Sequence, residues 1–207
     1  MDDTSPHCRE IPAMPVPSCP GHVWAGATVY TIGHSTRSRE KLIALLHHYG
    51  VVTLADVRTM PRSRHNPRFN KDELTVALPR AGITYAHLPR LGGLRRGLGA
   101  ASPNSGWRNP SFRGYADYMQ SADFAQGLDA LHALTAAGPV ALMCAEAVPW
   151  RCHRSLIADA LLFRGVAARE IQSRTRAEAH TLTPFAQVDG ERITYPEIRS
   201  SDGIGAP

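Results

Sequence analysis

The chain has 207 residues, of which 43% are hydrophobic and 20% are charged, values typical of one globular domain with its own core. No apolar run approaches the roughly 20 residues that a membrane span needs, and the first residues lack the basic and apolar regions of a signal peptide. These features argue against a membrane or secreted protein. We expect a cytoplasmic protein without a membrane partner, with its four cysteines reduced.

The net charge of +5 is concentrated in one part of the chain. Residues 58–113 contain ten arginines and one lysine but only two acids, so this window carries +9 and the remainder is mildly acidic. Because arginine suits bidentate contact with phosphate, the window favours a polyanionic partner, nucleic acid first. The alternative is a solvated arginine-rich surface without a partner.

The sequence divides into an extension, a domain and a tail. Residues 1–25 contain five prolines and predict an irregular extension. Apolar, β-branched runs predict strands at 27–32, 51–57, 83–88, 140–143 and 166–171. Apolar stripes at helical spacing predict helices at 39–49, 71–81, 115–137 (as one helix or two) and 155–163. The tail, 176–207, offers one possible added strand at 192–195.

This alternation of strands and helices over residues 26–175 predicts the fold class. We expect a single α/β domain with a mostly parallel, Rossmann-like sheet and helices on both faces. In such a sheet the carboxyl ends of the strands meet at one edge, where sites are found. The candidate site residues at or just after these strand ends are Gly33, His34, Ser35, Asp56, Arg58, His87, Gly92, Gly93, Cys144 and Glu146.

Two carboxylates stand out in this set as catalytic candidates. Asp56 and Glu146 follow apolar strands, where burial can raise a carboxyl pKa towards neutrality and so suit it to acid–base work. The alternative for Asp56 is that it caps a helix or pairs with Arg58.

The segment after the fourth predicted strand concentrates reactive side chains. Cys144 is a candidate nucleophile because a nearby cation or a helix N-terminus stabilises a thiolate, and His153 and Arg154 are close in sequence. The alternative is a buried core cysteine.

Two groups of residues have the side-chain types that bind zinc, and neither has the usual spacing. Cys144 with the adjacent Cys152 and His153 does not match the paired ligands of zinc sites. The second group lies irregularly in the extension and comprises His7, Cys8, Cys19 and His22. We therefore predict no metal and, since no GxGxxG or Walker pattern occurs, no cofactor. A zinc site from either group is the alternative.

Two long polar connections, at 58–70 and 89–114, hold most of the arginine excess. Loops of that length in a compact domain are usually functional or disordered, and the arginines favour the functional interpretation. Bases beside a stackable ring suit a phosphate backbone with a splayed nucleotide. The candidate binding residues, in chain order, are Ser35, Arg58, Ser63, Arg64, Arg68, Phe69, Gly92, Gly93, Arg95, Trp150 and Arg154.

An ordered set of short motifs between residues 29 and 171 resembles the DUF488 family, an α/β family named for its unknown function. The motifs are YTIGHS at 30–35, DVR at 56–58 with Pro61, Ser63 and Phe69, LGG at 91–93, CAE at 144–146 and CHR at 152–154. The resemblance implies an enzyme. Some members of the family are linked to DNA modification and repair, including removal of modified cytosines such as 5-hydroxymethylcytosine.

The leading hypothesis is a DNA glycosylase that hydrolyses the N-glycosidic bond of a modified base. Such an enzyme flips the nucleotide out of double-stranded DNA into a pocket. We expect the arginine-rich loops to hold phosphates, and Phe69 or Trp150 to stack on a base.

The chemistry of this hypothesis needs a carboxylate and a proton donor. Asp56 or Glu146 would stabilise oxocarbenium character and orient water, by analogy with glycoside hydrolysis. His34 or His153 would protonate or hydrogen-bond the departing base. The alternatives are a small-molecule enzyme with Cys144 as its nucleophile and a non-catalytic nucleic-acid-binding module.

Overall fold

The computed structural model describes Trp24 and residues 26–190 and 192–197. Six strands form one sheet with helices on both faces, which confirms the predicted α/β class. The strands are β1 (Val29–Gly33), β2 (Thr53–Asp56), β3 (Thr84–His87), β4 (Val140–Cys144), β5 (Ala168–Ile171) and β6 (Ala177–Ala179). The helices are α1 (Arg39–His48), α2 (Lys71–Arg80), α3 (Pro110–Tyr118), α4 (Ala122–Thr135) and α5 (Arg154–Phe163).

The strand order is β3-β2-β4-β1-β5-β6, with β1 to β5 parallel and β6 antiparallel at one edge. After β1 the chain passes through α1 to β2 on one side, and after β4 it passes through α5 to β5 on the other. The loops after β1 and β4 therefore diverge. This is the switch point where open α/β sheets form their ligand crevice.

Alternation along β4 explains the two layers of the core. Val140, Leu142 and Cys144 pack in the cluster covered by α3, α4 and α5, whereas Ala141 and Met143 pack in the cluster covered by α1 and α2. All five are buried, as expected for a central parallel strand covered on both faces. The same period of two places the Cys144 side chain on the α5 side of the sheet.

The predicted helix at 115–137 is two helices, and it begins earlier than predicted. Pro110 is the first residue of α3, a position where the missing N–H of proline costs no helical hydrogen bond. Residues 119–121 separate the two helices, and the Ser121 side chain caps α4 by accepting a hydrogen bond from Phe124 N. No helix in the described part of the chain has the length and apolar character of a bilayer span.

Residues 176–190 and 192–197 add three strands to the fold. β6 pairs with β5, while β7 (Gln187–Asp189) and β8 (Arg192–Thr194) form a separate antiparallel pair at the position of the predicted extra strand. Asp159 of α5 is fully buried and accepts hydrogen bonds from the hydroxyls of Thr183 and Tyr195 at 2.7 and 2.9 Å. Its other oxygen lies 2.6 Å from His180 Nε2. One carboxylate therefore fastens the tail to α5. The extension predicted at 1–25 lies outside the described residues, apart from Trp24.

Substitution Asp159→Ala tests this attachment. We expect the free energy of unfolding to fall by about 3 kcal/mol, because buried donors of the tail lose their charged acceptor. Urea unfolding measures the loss. The matched control is Asp123→Ala, which removes an exposed partner of Arg90 and should cost less than about 1 kcal/mol. Equal losses in the two variants would contradict the role of Asp159.

Candidate active site

A cleft of about 810 Å³ opens at the carboxyl edge of the sheet, beside β1 and β4. The hydrogen-bond ladder continues past the strand ends, since His34 N donates to Cys144 O and Ser35 N to Ala145 O, both at 2.9 Å. A Cβ added at Gly33 would lie 1.8 Å from the Glu146 carbonyl oxygen. Glycine at this position therefore allows the two diverging loops to meet at the base of the cleft.

Three reactive side chains converge in this cleft: Cys144 at the end of β4, and Cys152 and His153 just before α5. The two sulfurs and a ring nitrogen lie within 4.8 Å of one another, with Cys152 Sγ 3.7 Å from His153 Nδ1. Both cysteines are buried free thiols. We call these three residues the thiol–imidazole cluster.

The His153 imidazole is held in one orientation. Its Nε2 lies 3.0 Å from the Val57 carbonyl oxygen, so Nε2 carries the hydrogen and donates, which leaves Nδ1 facing Cys152. The ring packs against Tyr115, with the centroids 5.1 Å apart. Gly93 approaches so closely that an added Cβ would lie 2.4 Å from Nδ1. The glycine in the arginine-rich loop therefore accommodates this imidazole.

The two thiols of the cluster differ in their acidity. The Cys152 thiol and the His153 imidazole together outweigh the opposing effect of burial and hold the pKa of Cys144 well below its usual range. The pKa of Cys152 is raised, first by its interaction with Cys144 and then by burial. These opposite shifts make Cys144 the more acidic thiol of the pair.

Asp56 lies in the core, where a buried ion pair occupies it. Arg58 Nε donates to Asp56 Oδ1 at 2.8 Å, and its Nη2 donates to Oδ2 at 2.5 Å. The Tyr85 hydroxyl also donates to Oδ2, at 2.9 Å. Asp56 is completely buried and does not line the cleft. The alternative of pairing with Arg58 thus describes Asp56, and the structure corrects its expected availability to substrate.

His34 and Phe69 are also placed differently from the expectation. Arg58 Nη1 lies 3.3 Å from His34 Nε2, and His34 Nδ1 lies 3.1 Å from the Ser35 carbonyl oxygen. Burial lowers the pKa of His34, which favours the neutral ring accepting from Arg58 and donating to Ser35. Phe69 is fully buried and stacks on His34 with centroids 4.3 Å apart. Phe69 therefore cannot stack on a nucleotide base.

Arg154 forms part of the interior as well. The fully buried guanidinium pairs with Glu170 at 3.0 Å and donates to the carbonyl oxygens of Glu146 at 2.7 Å and Ala147 at 3.1 Å. Its donors are thus engaged by protein groups. Arg154 shapes the loop that carries Glu146, in place of the expected phosphate contact.

The loop after β3 uses its candidate residues in packing. A Cβ added at Gly92 would lie 2.5 Å from Thr59 Oγ1, so the close approach there is to the protein. Arg95 lies 3.8 Å over the Tyr118 ring and donates to the carbonyl oxygens of Gly92 and Pro89. The close approach expected at Gly92 is thus made by Thr59, and these contacts hold the half-buried Arg95 side chain against its own loop.

Other candidates remain accessible. Glu146 is exposed in the cleft, Ser35 and Ser63 are half-buried along it, and Trp150 beside it is 68% exposed. Arg64 and Arg68 are exposed on the loop after β2, outside the cleft lining. The sequence analysis missed two exposed cleft arginines, Arg62 and Arg151. Their location in the arginine-rich loop and in the segment between the two cysteines was the available signal.

These features define a single-domain α/β protein with a thiol- and carboxylate-containing cleft at the switch point of its sheet. The family model described as domain of unknown function DUF488 matches residues 38–161, more than half of the chain, and the chain belongs to this family. The match includes Asp56, Arg58 and the thiol–imidazole cluster. Comparison with curated proteins gave no match, and neither did comparison with solved structures.

The buried Arg154–Glu170 pair predicts a stability effect. Arg154→Met should lower the free energy of unfolding by about 3–5 kcal/mol, since it leaves Glu170 as a buried charge without its cation. Urea unfolding measures the loss. The control Arg176→Met removes the exposed pair with Glu178 and should cost less than about 1 kcal/mol. A small loss for Arg154→Met would show that this pair does not anchor the loop.

The pKa of Cys144 predicts its reactivity. In reduced protein with a metal chelator, Cys144 should remain alkylated by iodoacetamide about two pH units below the ordinary thiol pKa of about 8.5, because the thiolate is the reacting form. Cys152 should react only at higher pH. Peptide mass spectrometry across a pH series separates the two sites. If both cysteines lose reactivity together near the ordinary thiol pKa, the assignment of the thiolate is wrong.

Proposed function

We propose that this protein hydrolyses the N-glycosidic bond of a modified base in DNA and leaves an abasic site. The observation that carries this proposal is the acid–base content of the cleft. Among its described lining residues Glu146 is the one carboxylate, and it is exposed beside arginine and histidine side chains. The chain belongs to the DUF488 family, and some members of that family are linked to removal of modified cytosines such as 5-hydroxymethylcytosine. This supports the choice of substrate.

Glu146 is the group suited to the chemical step. Cleavage of the bond between C1′ and the base nitrogen develops positive charge on the sugar, which a carboxylate stabilises. The same carboxylate takes a proton from the attacking water, whose oxygen joins C1′, while the departing base gains a proton at its nitrogen. His153 is half-buried in the lining of the cleft, and in its doubly protonated form Nδ1–H would be the candidate donor to the base. His34 is less suited, because it is only 2% exposed and its ring stacks on the buried Phe69.

The surroundings of the cleft suit a nucleic acid with one nucleotide flipped out. Arg62 and Arg151 line it, and no ion pair engages either within the described ranges. Trp150 lies with Glu146 and Arg151 around an adjoining cavity of about 260 Å³. Stacking on an exposed aromatic ring is worth about 1–3 kcal/mol per base. The arginines would hold phosphates while Trp150 contacts a base.

The proposal includes a cytoplasmic location and double-stranded DNA as the partner. The free thiols of Cys144 and Cys152 are compatible with a reducing compartment. The exposed Arg64 and Arg68 extend the basic surface along the loop after β2, which would lengthen the contact with a phosphate backbone.

A second candidate function is favoured by the thiol–imidazole cluster. Cys144 lines the cleft next to Cys152 and His153, the surroundings of a cysteine nucleophile. In that case the substrate would be a small phosphorylated or sulfur-containing molecule. Loss of turnover in Cys144→Ser with trapping of a covalent adduct on Cys144 would favour this function over base excision.

The test of the main proposal is product analysis on DNA duplexes that each carry one modified cytosine. We expect mass spectrometry to detect one free base and an abasic site with the protein as purified. Glu146→Gln should lower the excision rate by at least about 100-fold, the lower range of acid–base catalysis, and leave DNA binding within about twofold. Glu73→Gln, which changes an exposed carboxylate on α2, should excise at the wild-type rate.

Two results would contradict the proposal. One is intact DNA under conditions where binding is demonstrated, which points to a binding module. The other is full excision by Glu146→Gln, which removes the carboxylate from the mechanism.

A further inference from the structure

The thiol–imidazole cluster combines the donor types of a zinc site in one buried corner of the cleft. Two sulfurs and one imidazole nitrogen lie within 4.8 Å of one another, and thiolate and imidazole are the ligands that Zn²⁺ prefers. Adjacent Cys152 and His153 gave no recognisable spacing in the sequence. The turn Pro149–Arg151 and the start of α5 bring both residues to Cys144.

We propose that Cys144, Cys152 and His153 bind one Zn²⁺ ion, with the fourth coordination position open to the cleft. Tetrahedral zinc with bonds of about 2.3 Å to sulfur and about 2.0–2.1 Å to nitrogen requires ligand atoms about 3.5–3.8 Å apart. The pair Cys152 Sγ and His153 Nδ1 is already at 3.7 Å. The distances from Cys144 Sγ to the other two ligand atoms are at most 4.8 Å, so zinc binding requires the side chains to move by about 1 Å.

The second coordination shell supports the same assignment. Metal-binding histidines commonly donate their other N–H to a carbonyl or carboxylate, which fixes the tautomer and the ring orientation. Nε2 of His153 makes this contact with the Val57 carbonyl oxygen at 3.0 Å. The nitrogen that faces Cys152 is therefore Nδ1, in the form that can bind a metal.

Gly93 packs directly against the His153 ring. A Cβ at residue 93 would lie 2.4 Å from Nδ1 and 2.7 Å from Cγ of the His153 ring. A larger residue would therefore move the imidazole or fill the space next to the donor nitrogen. Glycine at residue 93 therefore allows the imidazole to keep its position beside Cys152.

Three protein ligands leave one position for a water molecule or a substrate atom, the arrangement of catalytic zinc sites. Glu146 follows the ligand Cys144 by two residues and lines the same cleft. In zinc deaminases a glutamate that is not a ligand carries protons next to the metal-bound water. We assign the same relation to Glu146, so that it takes the proton of a zinc-bound water. With zinc bound, Nδ1 of His153 is a ligand, so Glu146 would pass that proton on to the departing base. This role, unlike the metal site itself, rests on the proposed hydrolytic function.

The test measures zinc bound to the full chain in which the cysteines of the extension, which could also bind zinc, are replaced. The extension contains Cys8 and Cys19, so the reference protein is the double variant Cys8→Ser, Cys19→Ser. We expect the reduced reference protein, dialysed with Zn²⁺ and then against buffer, to retain one zinc ion per chain by elemental analysis. With Co²⁺ in place of zinc it should show a thiolate-to-cobalt charge-transfer band in the near ultraviolet.

Ligand variants are made in the reference protein. Cys144→Ser, Cys152→Ser and His153→Ala should each weaken zinc binding by more than about 100-fold, beyond the range for second-shell changes. Circular dichroism checks that each variant is folded. Because a variant can fail to fold, zinc titration of the folded reference protein, with protection of Cys144 and Cys152 from iodoacetamide, is the second measurement.

A reference protein that is folded and reduced yet neither binds zinc nor shows protection would overturn the proposal, and so would full zinc binding after loss of both Cys144 and Cys152. The outcome for base excision is separate. Bound zinc with no released base, or with a deaminated base as the product, supports the metal site and contradicts the glycosylase. Base release at full rate by zinc-free protein supports the glycosylase and contradicts the role of the metal-bound water.

Discussion

The buried guanidinium of Arg154 is the interaction on which the cleft depends. It begins α5, pairs with Glu170 of β5 and holds two carbonyl oxygens of the loop after β4. The Thr31 hydroxyl of β1 donates to the same Glu170 carboxylate. One cation therefore joins two strands, a helix and the loop that presents Glu146. A charge enclosed in this way is tolerated only with such partners, so the loop conformation and the core are determined together.

A second buried pair, Arg58 with Asp56, organises the part of the cleft formed by the loops after β1 and β2. Arg58 also reaches the Phe69 carbonyl oxygen at 2.6 Å and the His34 ring. It thereby ties the loops after β1 and β2 together. The two arginines organise the cleft from within the protein. The accessible chemistry is left to Glu146 and to the thiol–imidazole cluster.

Much of this arrangement could be predicted from the sequence. Apolar runs and helical stripes located the five parallel strands and the helices, and parallel topology predicted that Cys144 and Glu146 lie at one edge. The sequence could not tell whether Asp56 and Phe69 face the core or the cleft. For Asp56, the end of a strand does not reveal which loops cover it, and for Phe69, the fold of a long irregular connection has no sequence period. Nor could the sequence predict that Cys152 and His153 meet Cys144, since that contact depends on a short turn and on the length of the loop.

The close packing of Gly93 against His153 connects two parts of the protein that the sequence separates. The loop that contains Gly93 also contains part of the arginine excess, and Thr59 Oγ1 accepts from its Leu94 N–H at 3.1 Å. A shift of this loop would bring the Gly93 backbone closer to the imidazole or move it away. The position of Nδ1 therefore depends on a segment that lies about sixty residues earlier in the sequence.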